Sequence, residues 1–130
     1  MIIVEGAIVA AMTISSPATP ARAALLDAAR IPLEADLGKP VKFVVDRLKI
    51  AGDHAFLLAT MQDGHGKPLD YTGTRLADAA AQGFVSHRFA ALLARRDGVW
   101  HVVVDAVGPT DIAWSGWAAK YKISTALFAE

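Results

Sequence analysis

Two polar residues on one predicted strand, His101 and Asp105, have side chains that could exchange a proton with a ligand. A strand over residues 99–107 would place both on one face, because side chains alternate with a period of two. A histidine and a carboxylate aligned in this way can serve as donor and base beside a pocket. A strand face in water shows the same alternation, and this is the interpretation we favour.

Aromatic residues near the end of the chain form a second candidate surface. Trp114, Trp117 and Tyr121 recur at helical spacing, which predicts an amphipathic closing helix over residues 111–121. Such a stripe is usually core, since buried rings contribute strongly to the stability of small domains. We therefore expect core packing and keep ligand contact as the alternative. Asp111 is expected to cap this helix.

Other chemistries find less support. Asp63, His65, Asp70 and Tyr71 share one glycine-rich loop, but their spacing matches no known metal site, and a solvated loop is the simpler interpretation. The serines lie in no nucleophile elbow, and no glycine-rich turn ends in Lys-Ser or Lys-Thr. The sequence therefore predicts no catalytic residue, no metal and no cofactor.

Composition limits the classes of partner. Thirteen basic and thirteen acidic residues cancel, so we expect no nucleic-acid partner and no attraction to anionic lipid. Hydrophobic residues make up 54% of the chain, which excludes a disordered polar chain. There is no cysteine, so disulfides say nothing about compartment. A homodimer through a face or edge of the sheet is a further expectation.

The first twenty residues are expected to be a leader or a degraded signal segment, followed by one domain over residues 21–130. Residues 6–14 are apolar, and the small residues after them suit a signal peptidase. Glu5 and the absence of Lys and Arg before the apolar run argue for a flexible or strand-forming leader instead. Nine apolar residues are too few to span a bilayer. We expect a periplasmic or secreted protein, and otherwise a cytoplasmic one.

The first half of the domain reads as a helix followed by a hairpin. Residues 21–30 are strong helix formers, Pro32 is expected to limit the helix, and residues 38–40 stop it. In residues 41–50 the apolar alternation slips once, which predicts a β-bulge near residues 46–47. Residues 54–61 are almost continuously apolar, as in a central strand covered on both faces.

The second half repeats the hairpin. A long loop over residues 62–73 leads to a short helix over residues 74–82. Strands over residues 84–96 and 99–107 flank Asp97-Gly98, a strong signal for a type I′ turn. The predicted fold class is α+β: a curved antiparallel sheet of about four strands packed on an N-terminal helix, with a short middle helix and a C-terminal helix.

This order resembles the cystatin-like and nuclear transport factor 2-like topologies, in which a curved sheet wraps a helix. The chain also resembles small uncharacterised exported proteins of proteobacteria. The matching residues are Arg22, Leu25, Leu26, Asp27, Arg30, Val41, Phe43, Ala55, Phe56, Leu92, Leu93, Trp100, Val102, Gly108, Asp111, Trp114, Trp117 and Tyr121. The resemblance covers residues 22–128 and implies no activity.

Two function classes follow. The first is an exported accessory or binding domain without catalytic machinery, which makes an enzyme the less favoured interpretation. The second is a small-molecule enzyme or ligand carrier that uses the concave face of the sheet through His101 and Asp105. A drug-sized cavity lined by these two residues would favour the second class.

Overall fold

The computed structural model describes residues 14–15 and 20–130, which form an α+β fold around one antiparallel sheet. The strands lie in the order β1-β2-β3-β4-β5. In the described chain the strands are β1 (Ile14–Ser15), β2 (Lys42–Ala51), β3 (His54–Gln62), β4 (Arg88–Arg96) and β5 (Val99–Val107), and the helices are α1 (Ala21–Leu37), α2 (Ala77–Ala81) and α3 (Trp117–Tyr121), with a final 3-10 helix (Thr125–Phe128). The predicted fold class is confirmed. The predicted leader falls mostly outside the described residues.

Helix α1 is longer than the sequence predicts, because it continues through Pro32 to Leu37. Its buried residues recur every fourth position: Leu25, Ala29, Leu33 and Leu37. Proline inside a helix costs about 3 kcal/mol, whereas burying a leucine side chain contributes about 1.5–3 kcal/mol. The two leucines beyond Pro32 therefore offset the proline, and the prediction that it limits the helix is wrong. The helix ends at Gly38, whose φ of 73° is left-handed.

The β2–β3 hairpin carries the predicted bulge. The pairing register shifts between Val45 and Arg47, so the bulge predicted near residues 46–47 is confirmed. Beyond the bulge Leu48 and Ile50 lie on the same side as Val45, and Arg47 faces the other side of the sheet with Leu58. The bulge therefore moves a cation onto the face opposite α1.

The sheet separates two apolar cores. Alternate residues of β3 face opposite ways: Leu57 packs in the core beneath α1, and Phe56 packs in the core on the other side. That second core is closed by residues 109–128, which we call the closing segment; it supplies Trp117 and Leu127. We name the two sides of the sheet the α1 face and the closing face. The prediction of a central strand covered on both faces is confirmed.

The second hairpin has the predicted turn and one unpredicted bulge. Asp97 and Gly98 both have positive φ, at 53° and 79°, which confirms the type I′ turn. Strand β4 begins at Arg88 rather than at residue 84. In β5 an extra residue, Val103, interrupts the ladder between the Leu93–Val102 and Leu92–Val104 pairs.

The closing helix is shorter than the sequence predicts. Only Trp117–Tyr121 is α-helical, and the residues before it form turns in which the Ser115 N–H donates to the Ile112 carbonyl at 3.0 Å. Gly116 precedes the helix, and glycine is a poor helix former, so the α-helix begins only after it. In the described part of the chain, no helix is long and apolar enough to cross a membrane. The predicted homodimer stays a prediction.

Candidate functional site

The His101–Asp105 pair predicted from the sequence does not form. Cross-strand partners share a face of the sheet, and Asp105 lies opposite Ala91, which packs beneath α1. His101 lies opposite Ala94. Ala94 is three residues from Ala91 along β4 and points to the other face of the sheet, so His101 faces the closing side. The extra residue at Val103 reverses the alternation between them. The prediction that one face carries both side chains is wrong, and both residues are exposed.

Asp105 instead belongs to a small charged group on the α1 face. The Arg75 guanidinium donates three hydrogen bonds to Asp36: from Nε to Oδ1 at 2.9 Å, from Nε to Oδ2 at 3.1 Å and from Nη2 to Oδ2 at 2.8 Å. This pairing lowers the pKa of Asp36. Although the Asp105 side chain keeps contact with solvent, the surrounding protein partly desolvates its carboxyl and raises its pKa; the Asp36 carboxylate raises the pKa further, and Arg75 opposes both effects. The folded protein therefore disfavours a charged Asp105.

Changing Asp105→Asn tests this environment through pH. A raised pKa in the folded state means that Asp105 costs stability when ionised, and that this cost disappears as the pH falls from the raised value to the unfolded value of about 3.9. We expect the gain in Tm of the variant over the wild type to be largest near neutral pH and to shrink as the pH falls towards 4. Thermal melts at matched ionic strength measure it. A difference independent of pH would contradict the assignment.

The glycine-rich loop uses its acidic residues to brace its own backbone. The Asp63 carboxylate accepts the N–H groups of His65 at 2.8 Å and Lys67 at 3.0 Å, and the Asp70 carboxylate accepts that of Thr72 at 2.9 Å. These backbone bonds lower the pKa of both carboxyls. Among the residues described, no group of three or more His, Cys, Asp or Glu side chains could hold a metal ion.

The aromatic stripe is core. Trp114 and Trp117 are each 8% exposed and pack with the fully buried Phe56, whose ring centroid lies 5.9 Å from that of Trp114. Tyr121 is partly buried against the same core. The turns before α3 preserve the spacing that brings both tryptophans to one side. Trp114 has a second role, because it also borders a cleft.

This open cleft, which we call the arginine cleft, lies on the closing face and has a volume of about 600 Å³. Its lining comprises Arg47, Ser86, Arg88, residues 109–112, Trp114 and residues 128–130. A smaller apolar pocket of about 230 Å³ adjoins it and shares Trp114 and Phe128. Cavities of 300–1,000 Å³ are typical of small-molecule sites.

Two arginines form the cationic side of the cleft. Arg47 donates from Nη1 to the Phe128 carbonyl at 2.7 Å, and its guanidinium lies 5.7 Å from the centre of the Phe56 ring. Arg88 donates from Nη2 to Asp46 Oδ2 at 3.1 Å. A guanidinium has five N–H donors, so each arginine keeps donors available for a ligand after these bonds.

Ser86 joins the start of β4 to Pro109 in the wall of the cleft. Its Oγ donates to the Pro109 carbonyl and accepts the Arg88 N–H at 3.1 Å. Its carbonyl accepts the Tyr71 hydroxyl at 2.6 Å, and burial raises the pKa of Tyr71 to about 12, which keeps that hydroxyl a donor. Ser86 is therefore a structural junction, because its hydroxyl is already engaged with backbone groups.

Asp111 does not cap a helix. The closing helix begins six residues later, after Gly116, so the carboxylate of Asp111 is exposed on the wall of the arginine cleft. The prediction of a capping role is wrong because residues 111–116 form turns. Glu130 supplies the second carboxylate of the cleft, and Thr110 a hydroxyl.

Comparison with protein families, curated proteins and solved structures gives no match for this chain. The resemblance to small exported proteobacterial proteins and to cystatin-like topology therefore stays a prediction.

Of the five predicted ligand-binding residues, only Trp114 borders the arginine cleft. Sequence reasoning missed both arginines. One signal was available: the slip in alternation at residues 46–47 turns Arg47 away from the face of Val45, onto the side that the tryptophans cover. No comparable signal marked Arg88, since the strand was predicted to begin four residues earlier than it does.

Proposed function

We propose that this chain is an exported accessory domain that binds a small amphipathic molecule in the arginine cleft without transforming it. The observation that carries the proposal is one cavity of drug-sized volume that combines aromatic walls with two guanidinium groups. Aromatic surface supplies affinity for an apolar body, and a few placed polar groups fix its orientation. The export stays a prediction, drawn from the leader.

Binding fits the cleft better than catalysis does. The residues that line it include neither histidine nor cysteine, the hydroxyl of Ser86 is hydrogen-bonded to backbone rather than to a base, and the two carboxylates, Asp111 and Glu130, are exposed to solvent. The carboxyl with a raised pKa, Asp105, lies on the other face of the sheet. Efficient general acid–base catalysis requires a group that lies within reach of the ligand and whose pKa is matched to the operating pH. The competing hypothesis is an enzyme or carrier that uses His101 and Asp105. It is weakened because these two side chains lie on opposite faces of the sheet.

A blocking substitution tests the proposal. Thr110 is an exposed residue on the rim of the cleft, so Thr110→Trp would place a ring in the space a ligand needs. The probe is 1-anilinonaphthalene-8-sulfonate, whose rings and sulfonate match the aromatic walls and the arginines. We expect the variant to bind this probe at least about tenfold more weakly than the wild type in a fluorescence titration.

The matched control is Ala35→Trp, which adds the same ring at an exposed position of α1, outside the cleft. It should bind the probe as the wild type does. Equal weakening in both variants would mean that the added tryptophan disturbs folding. Undiminished binding by both would place the probe elsewhere, for example in the groove of about 320 Å³ lined by Leu26, Val41 and Phe43.

A further inference from the structure

The arginine cleft carries charged groups of both signs, and this combination favours one class of ligand. Its lining holds two guanidinium groups, Arg47 and Arg88, and two carboxylates, Asp111 and Glu130. Building on the proposed binding function, we propose that the ligand is a zwitterion with an apolar body: a short peptide of apolar residues with a free amino end and a free carboxyl end. Each charged end then meets an opposite charge on the wall.

The carboxylate end belongs with the arginines. A guanidinium presents planar, paired N–H donors that match the two oxygens of a carboxylate. Arg88 is the stronger anchor, since its side chain is 45% exposed and its partner Asp46 occupies one Nη atom. Arg47 is more constrained, because it also holds the carbonyl of Phe128.

The amino end belongs with the carboxylates. Asp111 and Glu130 are both exposed, so a ligand's ammonium can reach either carboxylate. The same carboxylates disfavour ligands of higher negative charge. A phosphate ester or a dicarboxylate would bring a second negative charge and no positive end for Asp111 and Glu130 to pair with, and like charges at short range cost binding energy.

The apolar body fits the remaining surface. Ile112, 62% exposed, lies beside Trp114 and Phe128, and these three also line the adjoining apolar pocket. One apolar side chain of a peptide can enter that pocket while its backbone crosses the cleft. The volume of about 600 Å³ exceeds what a single amino acid fills and lies in the range of drug-sized ligands.

The test compares four forms of one dipeptide, leucyl-phenylalanine, by calorimetric titration of the full chain: free at both ends, N-acetylated, C-amidated, and blocked at both ends. The free form should bind at least about tenfold more tightly than either singly blocked form, because each block removes one charge-assisted contact. The doubly blocked form should bind most weakly. Equal binding by all four forms would overturn the zwitterion proposal and leave the cleft as an apolar site.

Two variants test which residues of the cleft bind each end of the peptide. Arg88→Gln should abolish the preference for a free carboxyl end and keep the preference for a free amino end. The double variant Asp111→Asn, Glu130→Gln should do the reverse. Failure of both variants to move either preference would overturn the assignment. Absence of binding by every dipeptide form, with the naphthalene probe still blocked by Thr110→Trp, would refute the ligand class and leave the proposed binding function standing.

Discussion

Replacing Trp117 by alanine is expected to lower the free energy of unfolding by about 3–5 kcal/mol. The indole is 8% exposed and meets the Phe56 ring nearly edge-on, with centroids 6.4 Å apart and planes at 81°. Truncation removes this contact and leaves a cavity in the core on the closing face. Small domains have a free energy of unfolding of about 5–15 kcal/mol, so much of the variant protein should unfold well below the wild-type Tm. Urea titration followed by circular dichroism measures the loss.

Ile112 provides the control for this prediction. It belongs to the same closing segment but is 62% exposed, so Ile112→Ala should change stability by less than about 0.5 kcal/mol. Near-wild-type stability of Trp117→Ala would show that the ring is not core. Trp114 is expected to behave like Trp117 in stability, with an added loss of probe binding, because it packs on Phe56 and also lines the arginine cleft.

Replacing Gly108 by alanine should lower the free energy of unfolding by about 2–4 kcal/mol. Gly108 has a left-handed φ of 68°, and a Cβ there would lie 3.0 Å from the Ser86 carbonyl oxygen and 3.2 Å from the Tyr71 hydroxyl. These atoms cannot retreat easily, because the Tyr71 hydroxyl donates to that same carbonyl and the Ser86 N–H donates to the Gly108 carbonyl. Thermal unfolding and probe titration should both be affected, since this junction forms the wall of the cleft.

Gly38→Ala separates strain from crowding in that experiment. Gly38 has a similar φ of 73° but no atom within 4 Å of a Cβ built on it. The Gly38→Ala substitution should lower the free energy of unfolding by only about 1 kcal/mol, which is the cost of the left-handed backbone alone. If the two variants lose equal stability, the close packing of Gly108 against Ser86 contributes nothing, and Ser86 is not a rigid structural junction.

Local signals in the sequence predicted much of the fold. The slip in alternation located the bulge beside Arg47, and Asp97-Gly98 located the second hairpin, because each feature depends on neighbouring residues alone. The end of α1 was misplaced because burial of leucines against the sheet outweighs the local effect of Pro32. The bulge at Val103 left no trace, since valines on both sides of it keep the strand apolar in either register.

The arginine cleft could not be predicted for a different reason. Its walls come from β2, the start of β4 and the closing segment, which meet only after the sheet has formed. Asp111 in particular was expected to cap a helix that begins only at Trp117, after Gly116. Short-range patterns carry no information on which exposed side chains the tertiary fold brings together.

The most direct test of the account is the ratio of probe affinities between Ala35→Trp and Thr110→Trp, measured in one fluorescence titration on folded protein. If the arginine cleft is the binding site, the ring added at Thr110 occupies it and the ring added on α1 does not. We expect Ala35→Trp to bind the probe about tenfold or more tightly than Thr110→Trp. A ratio near one, with both variants folded and binding the probe, would contradict it.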